Sequence, residues 1–412
     1  MKEFFTRTTS ILQKRKIAVA SIAVVILLIF SLIVVIVSHN NRQSDENTAK
    51  QPEESESNNF QDNEQDMAEN NNSKDESFAF PISGVRPYAV MIDNEGTKCL
   101  PQGGLHKAQV IYEIIVEGGE TRFMPVFWAS LPSEDSKESK VTQQETQGTK
   151  ETNGTQEAKD IQNIQNARFP ELELIGPVRS SRHYFLDYVL ELDAIYVHFG
   201  WSPRAMSDIP KLKINNINGV ANGGEIFWDL TKDRNNWQDS YTSMQKINEY
   251  VKKVKYRTET DKKSVFSYNK EDVEIPGGVD AKSVLIKYNQ ANTSQYLYNA
   301  ETREYSRLRK GKPHMERATE EQLKTKNIII QFTKNYTIKG DTEDRQEVET
   351  TGNGEGWYIT CGKAVKVKWT KKSRNEATEY KYESGEPVLL NPGQTWVQIV
   401  PIYGNVEIKG EL

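Results

Sequence analysis

Two cysteines and five scattered histidines in 412 residues leave this chain little raw material for thiol or metal chemistry. Cys99 and Cys361 stand in neither a C-x-x-C nor a metal-ligand spacing, so both read as unpaired small apolar residues. No metal and no other cofactor is expected. The chain also lacks a G-x-S-x-G elbow, an H-E-x-x-H pair and a Walker loop. Serine hydrolases of that type, zinc proteases and P-loop enzymes are thereby set aside. An excess of positive charge is missing too. Of the net −5, residues 38–80 contribute −8 (11 acidic, 3 basic) and residues 1–16 contribute +4, which leaves −1 on residues 81–412. A near-neutral folded part is poorly suited to neutralising phosphates, and nucleic acid is not an expected partner.

Long apolar runs are scarce, with one exception. Residues 17–37, "IAVASIAVVILLIFSLIVVIV", form an uncharged stretch of 21, close to the ~20 residues that cross a bilayer as a helix. Lys2, Arg7, Lys14, Arg15 and Lys16 precede it against Glu3 alone. The bias of positive charge places residues 1–16 in the cytoplasm and the folded domains outside. A cleaved signal peptide competes with this reading, but "VIVSHNN" offers no small-x-small site, and no cysteine stands there for lipid attachment. The expectation is a single-pass cell-membrane anchor.

Residues 38–80 are rich in Asn, Glu and Ser and read as a disordered acidic tether, roughly 35–40 Å in root-mean-square span. A second low-complexity stretch, 133–168, reads as a disordered insertion. Between and after them the pattern predicts two domains. Residues 81–260 alternate apolar strands ("PYAVMID", "VIYEIIVE", "TRFMPVFWAS", "LELI", "AIYVHFG") with helices from Pro177, from Ser202-Pro203 and over 242–254. This is an α/β (mixed α+β) N-terminal domain. Residues 261–412 carry short β-rich runs with Gly, Asn and Pro punctuation, a mostly antiparallel β C-terminal domain.

The stretch "IGPVRSSRHYF" (175–185) concentrates the chemistry. Cations in the first turns of a helix oppose its dipole, so Arg179 and Arg182 demand an anion. If "LELI" and "AIYVHFG" are parallel neighbours joined by a crossover helix, Arg179, Arg182, Ser180 and His198 meet at one sheet edge with the helix start at Ser202. With Gly118-Gly119 as a two-residue hairpin turn, Glu117 faces Glu120 and Ile115 faces Arg122, placing Glu113, Glu117 and Arg122 on one face. The anion is then either a ligand or an internal carboxylate, Glu113, Glu117 or Asp93. Both readings stand.

Three functions follow from that choice. The cluster of Arg122, Arg179, Arg182 and His198, with Ser180, Ser202, Asp93 and Glu117, binds an anionic cell-envelope polymer or the acidic part of an envelope protein; or Glu117 or Asp93 works with His198 in an envelope hydrolase; or the charges are internal and the protein is a non-catalytic interaction scaffold. Glu113 and Glu117 themselves lie about 13 Å apart along a strand, beyond the ~5–9.5 Å of glycosidase carboxyl pairs. Trp201, Trp228, Trp237, Trp369 and Trp396 are candidates for sugar stacking, with burial as the alternative. His314, in "GKPHME", reads as part of a surface turn.

"RPYAVMIDN", "GLHKAQVIYEIIVEGGETRFMPVF", "IGPVRSSRHYFLDYVLELDAIYVHFG", "GKPH", "KWTKKS" and "LNPGQTWVQIVP" together resemble the YerB family of extracytoplasmic lipoproteins of unknown function in Gram-positive-type bacteria. The resemblance spans about residues 81–407, the 133–168 stretch apart. It implies N-terminal and C-terminal family domains meeting near residue 260, and no established activity. Family members commonly carry a lipobox cysteine, absent here, and a histidine where this chain has Gln238.

Overall fold

The computed structural model describes residues 78–128, 174–231, 233, 236, 238–275 and 277–411. The expectations for residues 1–16, for the membrane segment 17–37, for the tether up to residue 77 and for the 133–168 insertion lie outside these residues.

Strands dominate, and the expected fold class is corrected accordingly. In place of an α/β domain followed by a β domain, the molecule is mostly β, built on one twelve-stranded sheet and a six-stranded one. No helix among the described residues is long and apolar enough to cross a membrane, so the corrected fold is drawn without an anchor; residues 17–37, where one was expected, lie outside it.

Strands from both sides of residue 260 stand in the large sheet. Its order runs Val279–Asp280, Lys363–Lys371, Gly352–Thr360, Asn327–Thr333, Thr395–Pro401, Val110–Ile115, Thr121–Phe127, Tyr88–Val90, Ile195–His198 and Asn216–Asn218. The seam is the parallel pairing of Thr395–Pro401 with Val110–Ile115, Trp396 opposite Ile111 and Gln398 opposite Glu113. Both strands are buried along their whole length, which suits their near-continuous apolar sequences "VIYEII" and "TWVQIVP".

Each face of this sheet is covered by a different layer. The six-stranded sheet, in the order Lys312–Pro313, Glu304–Arg309, Thr293–Asn299, Ser283–Lys287 and Asn405–Lys409, packs on the face carrying Glu113, Phe123 and Trp396. The helix Phe185–Leu192 packs on the other, where the Tyr112 and Tyr188 rings lie 4.7 Å apart and Glu191 meets Lys371 at 2.6 Å. The buried Phe185, Leu186, Tyr188, Val189 and Leu192 recur at helical spacing, and that spacing begins only at Phe185.

Residues 177–184, expected as the first turns of that helix, are not helical. Their backbone groups are taken by neighbours instead: Val178 N–H donates to Ser240 O (2.6 Å), Arg179 N–H to Met91 O (2.8 Å) and Ser181 N–H to Gly200 O (3.0 Å). The crossover unit dissolves with them. Ile175 bridges to Thr242, and the parallel partners of Ile195–His198 are Tyr88–Val90 and Asn216–Asn218.

The hairpin turn also differs by one residue. Ile115 pairs with Thr121 and Ile114 with Arg122, around a three-residue turn Glu117–Gly119. Gly118 (φ 64°) and Gly119 (φ 74°) supply the left-handed backbone this turn needs, and a Cβ on Gly119 would lie 2.4 Å from Asn289 Nδ2. One residue of register reverses a strand's faces, so Glu113 and Arg122 point to opposite sides of the sheet.

Candidate functional site

The two faces give two charge clusters. On the helix-covered face, Asp93 stands directly opposite Arg122 across an antiparallel pair. The extended segment 178–182 brings Arg179 and Arg182 alongside. Arg182 grips Glu117 with two donors, Nε to Oε1 and Nη2 to Oε2 at 2.9 Å. Arg122 reaches the same carboxylate at 3.7 Å and donates to the Ser180 carbonyl at 2.6 Å. Arg179 lies 3.3 Å from Asp93 and 3.9 Å from Glu95. The Ser180 hydroxyl accepts from Arg182 at 3.0 Å and from Arg122 at 3.3 Å. The anion demanded by Arg179 and Arg182 is thus present within the chain, as Asp93 and Glu117.

Burial grades across this cluster. Asp93 and Arg122 are buried, the Arg179 side chain is 21% exposed and that of Glu95 45%. Burial, with Arg182 and Arg179 close by, pushes the Arg122 guanidinium down to about 10. Burial raises the Glu95 carboxyl, and the neighbouring Asp93 raises it further. For Glu117 burial acts upward, yet the hydrogen bonds and charge of Arg182, then the charge of Arg122, hold it below the usual carboxylate range.

His198 and Ser202 do not join this cluster. His198 is buried, its Nδ1 2.8 Å from the Gly200 carbonyl and its Nε2 3.1 Å from Asn216 Oδ1, and its ring stacks on Tyr196 at 4.9 Å. Burial lowers its proton affinity. Ser202 caps the helix Pro203–Lys211, accepting from Ala205 N–H at 3.3 Å. Glu113, on the opposite face, is likewise absent from the arginine cluster.

Sequence reasoning passed over Glu95 and named Gln238 only as a departure from the family pattern. Gln238 Nε2 donates to Asp93 Oδ2 and to the Glu95 carbonyl, both at 2.8 Å. An amide therefore occupies the position next to Asp93 where the resemblance implies a histidine.

On the face under the smaller sheet, six side chains close a ring. Arg307 donates from Nη1 to His314 Nδ1, which leaves His314 Nε2–H to donate to Gln102 Oε1 at 2.7 Å. Gln102 donates to Asn94 Oδ1 (3.2 Å), Asn94 to Thr121 Oγ1 (2.7 Å) and Thr121 to Glu113 Oε1 (2.8 Å). Arg307 Nη2 completes the circuit on Glu113 Oε2 at 2.7 Å. Every donor in the ring finds an acceptor. His314 is buried rather than in a surface turn, and burial, with Arg307 and Arg309 beside it, drives its proton affinity well below that of a free imidazole. The legible signal was "EYSRLR": Tyr305, Arg307 and Arg309 share one parity of a strand, and all three point inward.

The two cysteines are both buried and free. Of the tryptophans singled out, Trp369 and Trp396 are buried, Trp201 and Trp228 are partly buried, and Trp237 lies outside the described residues.

Residues 80–138 and 166–257 match the N-terminal domain, and residues 284–397 the C-terminal domain, of the family described as "Protein of unknown function (DUF3048)". The chain is 28% identical over 341 residues to the Bacillus subtilis (strain 168) protein described as "Putative lipoprotein YerB", covering 80% of this chain and 86% of that protein. A crystal structure of the YerB protein from Bacillus subtilis resembles this one with a TM-score of 0.60 at 24% identity, over 79% of this chain and 94% of that one.

Proposed function

This chain belongs to the YerB family of DUF3048 proteins, and on that premise we propose that it is an extracytoplasmic protein held at the cell envelope, whose work is recognition and not bond cleavage. Its contact is the rim of the arginine cluster, and its ligand an anionic envelope polymer. One observation carries the reading: three guanidinium groups share the buried Asp93 and the partly buried Glu117, while the third carboxylate, Glu95, is nearly half exposed and 3.9 Å from Arg179. A phosphate-bearing polymer can displace Glu95 from Arg179 without disturbing the pairs below it. The hydrolase alternative loses its base, because both His198 ring nitrogens are engaged and neither contact is with Asp93 or Glu117.

Co-sedimentation with purified wall sacculi, before and after removal of their phosphate polymers with hydrofluoric acid, tests the proposal. Binding to the intact sacculi is expected, with loss on stripping and a several-fold weakening in Arg179→Ala. Equal binding to both preparations would sink it.

A further inference from the structure

We infer that a groove at the open end of the large sheet, on the face opposite the arginine rim, is a glycan-binding site centred on Trp357. The smaller sheet covers this face only in part. Where Thr395–Pro401 leaves the large sheet and Asn405–Lys409 enters the smaller one, a groove of about 790 Å3 opens, floored by Phe332 and Trp357 and walled by Asn353, Glu355, Lys334 and Ile402. That volume lies within the ~300–1,000 Å3 typical of small-molecule sites.

The strand register builds the platform. Trp357, Glu355 and Asn353 alternate along Gly352–Thr360 and so share a face. Opposite them stand Lys366, Lys368 and Thr370. Ile330 pairs with Trp357, which puts Phe332, two residues on, on that face too. Trp357 is only partly buried, and Lys366 Nζ lies 5.9 Å from its ring centroid. The side chains of Asn353, Glu355, Lys334 and Lys368 are exposed and make no hydrogen bond or ion pair among the described residues.

An aromatic floor flanked by unpaired amide, carboxylate and ammonium groups fits the two-sided chemistry of a pyranose. Its axial C–H face stacks on indole, while equatorial hydroxyl and acetamido groups need donors and acceptors at the ring edge. Charges of both signs line the groove, so no net charge is asked of the ligand. This separates it from the rim, and the inference stands whether or not the rim binds a polymer. Trp357 was not among the tryptophans that sequence reasoning selected, because nothing in "GNGEGWYIT" shows which of its neighbours the smaller sheet leaves uncovered.

Isothermal titration of the full-length protein with the soluble β-1,4-linked tetramer of N-acetylglucosamine tests it. Saturable one-to-one binding is expected, weakened at least tenfold in Trp357→Ala and about threefold in Asn353→Ala, and unchanged in Arg179→Ala. Trp357→Phe, which keeps an aromatic face, should bind between the wild type and Trp357→Ala; it serves as the reading if the alanine variant melts early. No saturable heat up to about 10 mM tetramer, or equal affinity in wild type and both Trp357 variants, would overturn the assignment.

Discussion

The two charge clusters stand on opposite faces of one sheet and are made of the same residue types, yet they are built for different ends. Under the smaller sheet, Arg307 and Glu113 are both fully buried, and every polar atom of their circuit is matched. On the helix-covered face the partners grade from buried Asp93 through partly buried Glu117 to the nearly half-exposed Glu95, and one carboxylate serves two arginines. A closed network specifies geometry, whereas a graded one leaves charge that a ligand can use. The interior ring is a fastener between distant parts of the chain; the rim is a surface whose carboxylates are shared unevenly among three arginines.

Breaking the ring should have the largest effect. Glu113→Ala strands a buried guanidinium and is expected to cost about 3–5 kcal/mol in urea denaturation. A cost near that of an ordinary surface substitution would show that the ring does not hold the fold. The pH dependence comes next. His314 is neutral in the fold because its proton affinity is lowered there, while in the unfolded chain it binds a proton near pH 6.5. Its contribution is therefore complete above pH 6.5 and is lost as pH falls below it, at about 1.4 kcal/mol per pH unit. His198 and His183 are shifted the same way, so the wild type also carries their share. Between pH 6.5 and 5, His314→Gln should lose about 2 kcal/mol less than wild type; parallel curves for the two proteins would contradict the neutral assignment.

The rim predicts smaller changes in stability and larger ones in binding. Glu117→Gln removes a two-donor, partly buried contact with Arg182 and is expected to cost about 1–2 kcal/mol by the same denaturation assay. Glu95→Gln should change stability by no more than about 0.5 kcal/mol. It should nevertheless tighten co-sedimentation with phosphate-bearing sacculi a few-fold, because it removes the weakest competitor for Arg179. Weaker binding in this variant would reverse the division of labour drawn between the two faces.

Much of the rim was legible. That Arg179 and Arg182 need an anion, and that Asp93 and Glu117 are candidates for it, follows from charge and spacing alone. The reason given for the need did not survive, since both arginines precede the helix and its dipole plays no part. Arg122 was placed beside Glu117 through the wrong register, because two glycines suggested a two-residue turn where Glu117 itself belongs to the loop. His198 was brought in by a crossover that does not form. The α/β reading of residues 81–260 erred for a related reason: local apolar patterning reports whether a segment is extended, not which distant strand accepts its hydrogen bonds. The ring escaped notice altogether, its members being as far apart in sequence as Asn94 and His314.

The pairing of Thr395–Pro401 on one side with Val110–Ile115 and on the other with Asn327–Thr333 makes one of the last strands of the chain the keystone between its halves. Until that strand arrives, Val110–Ile115 and Asn327–Thr333 each present a long apolar edge with its hydrogen-bonding groups unmet. The fold cannot mature from its beginning as the polypeptide emerges; it waits for the C-terminal end. A chain cut short by a few dozen residues would lose not a peripheral β-hairpin but the link that makes two half-sheets one, and would expose two sticky edges to the compartment in which it is made.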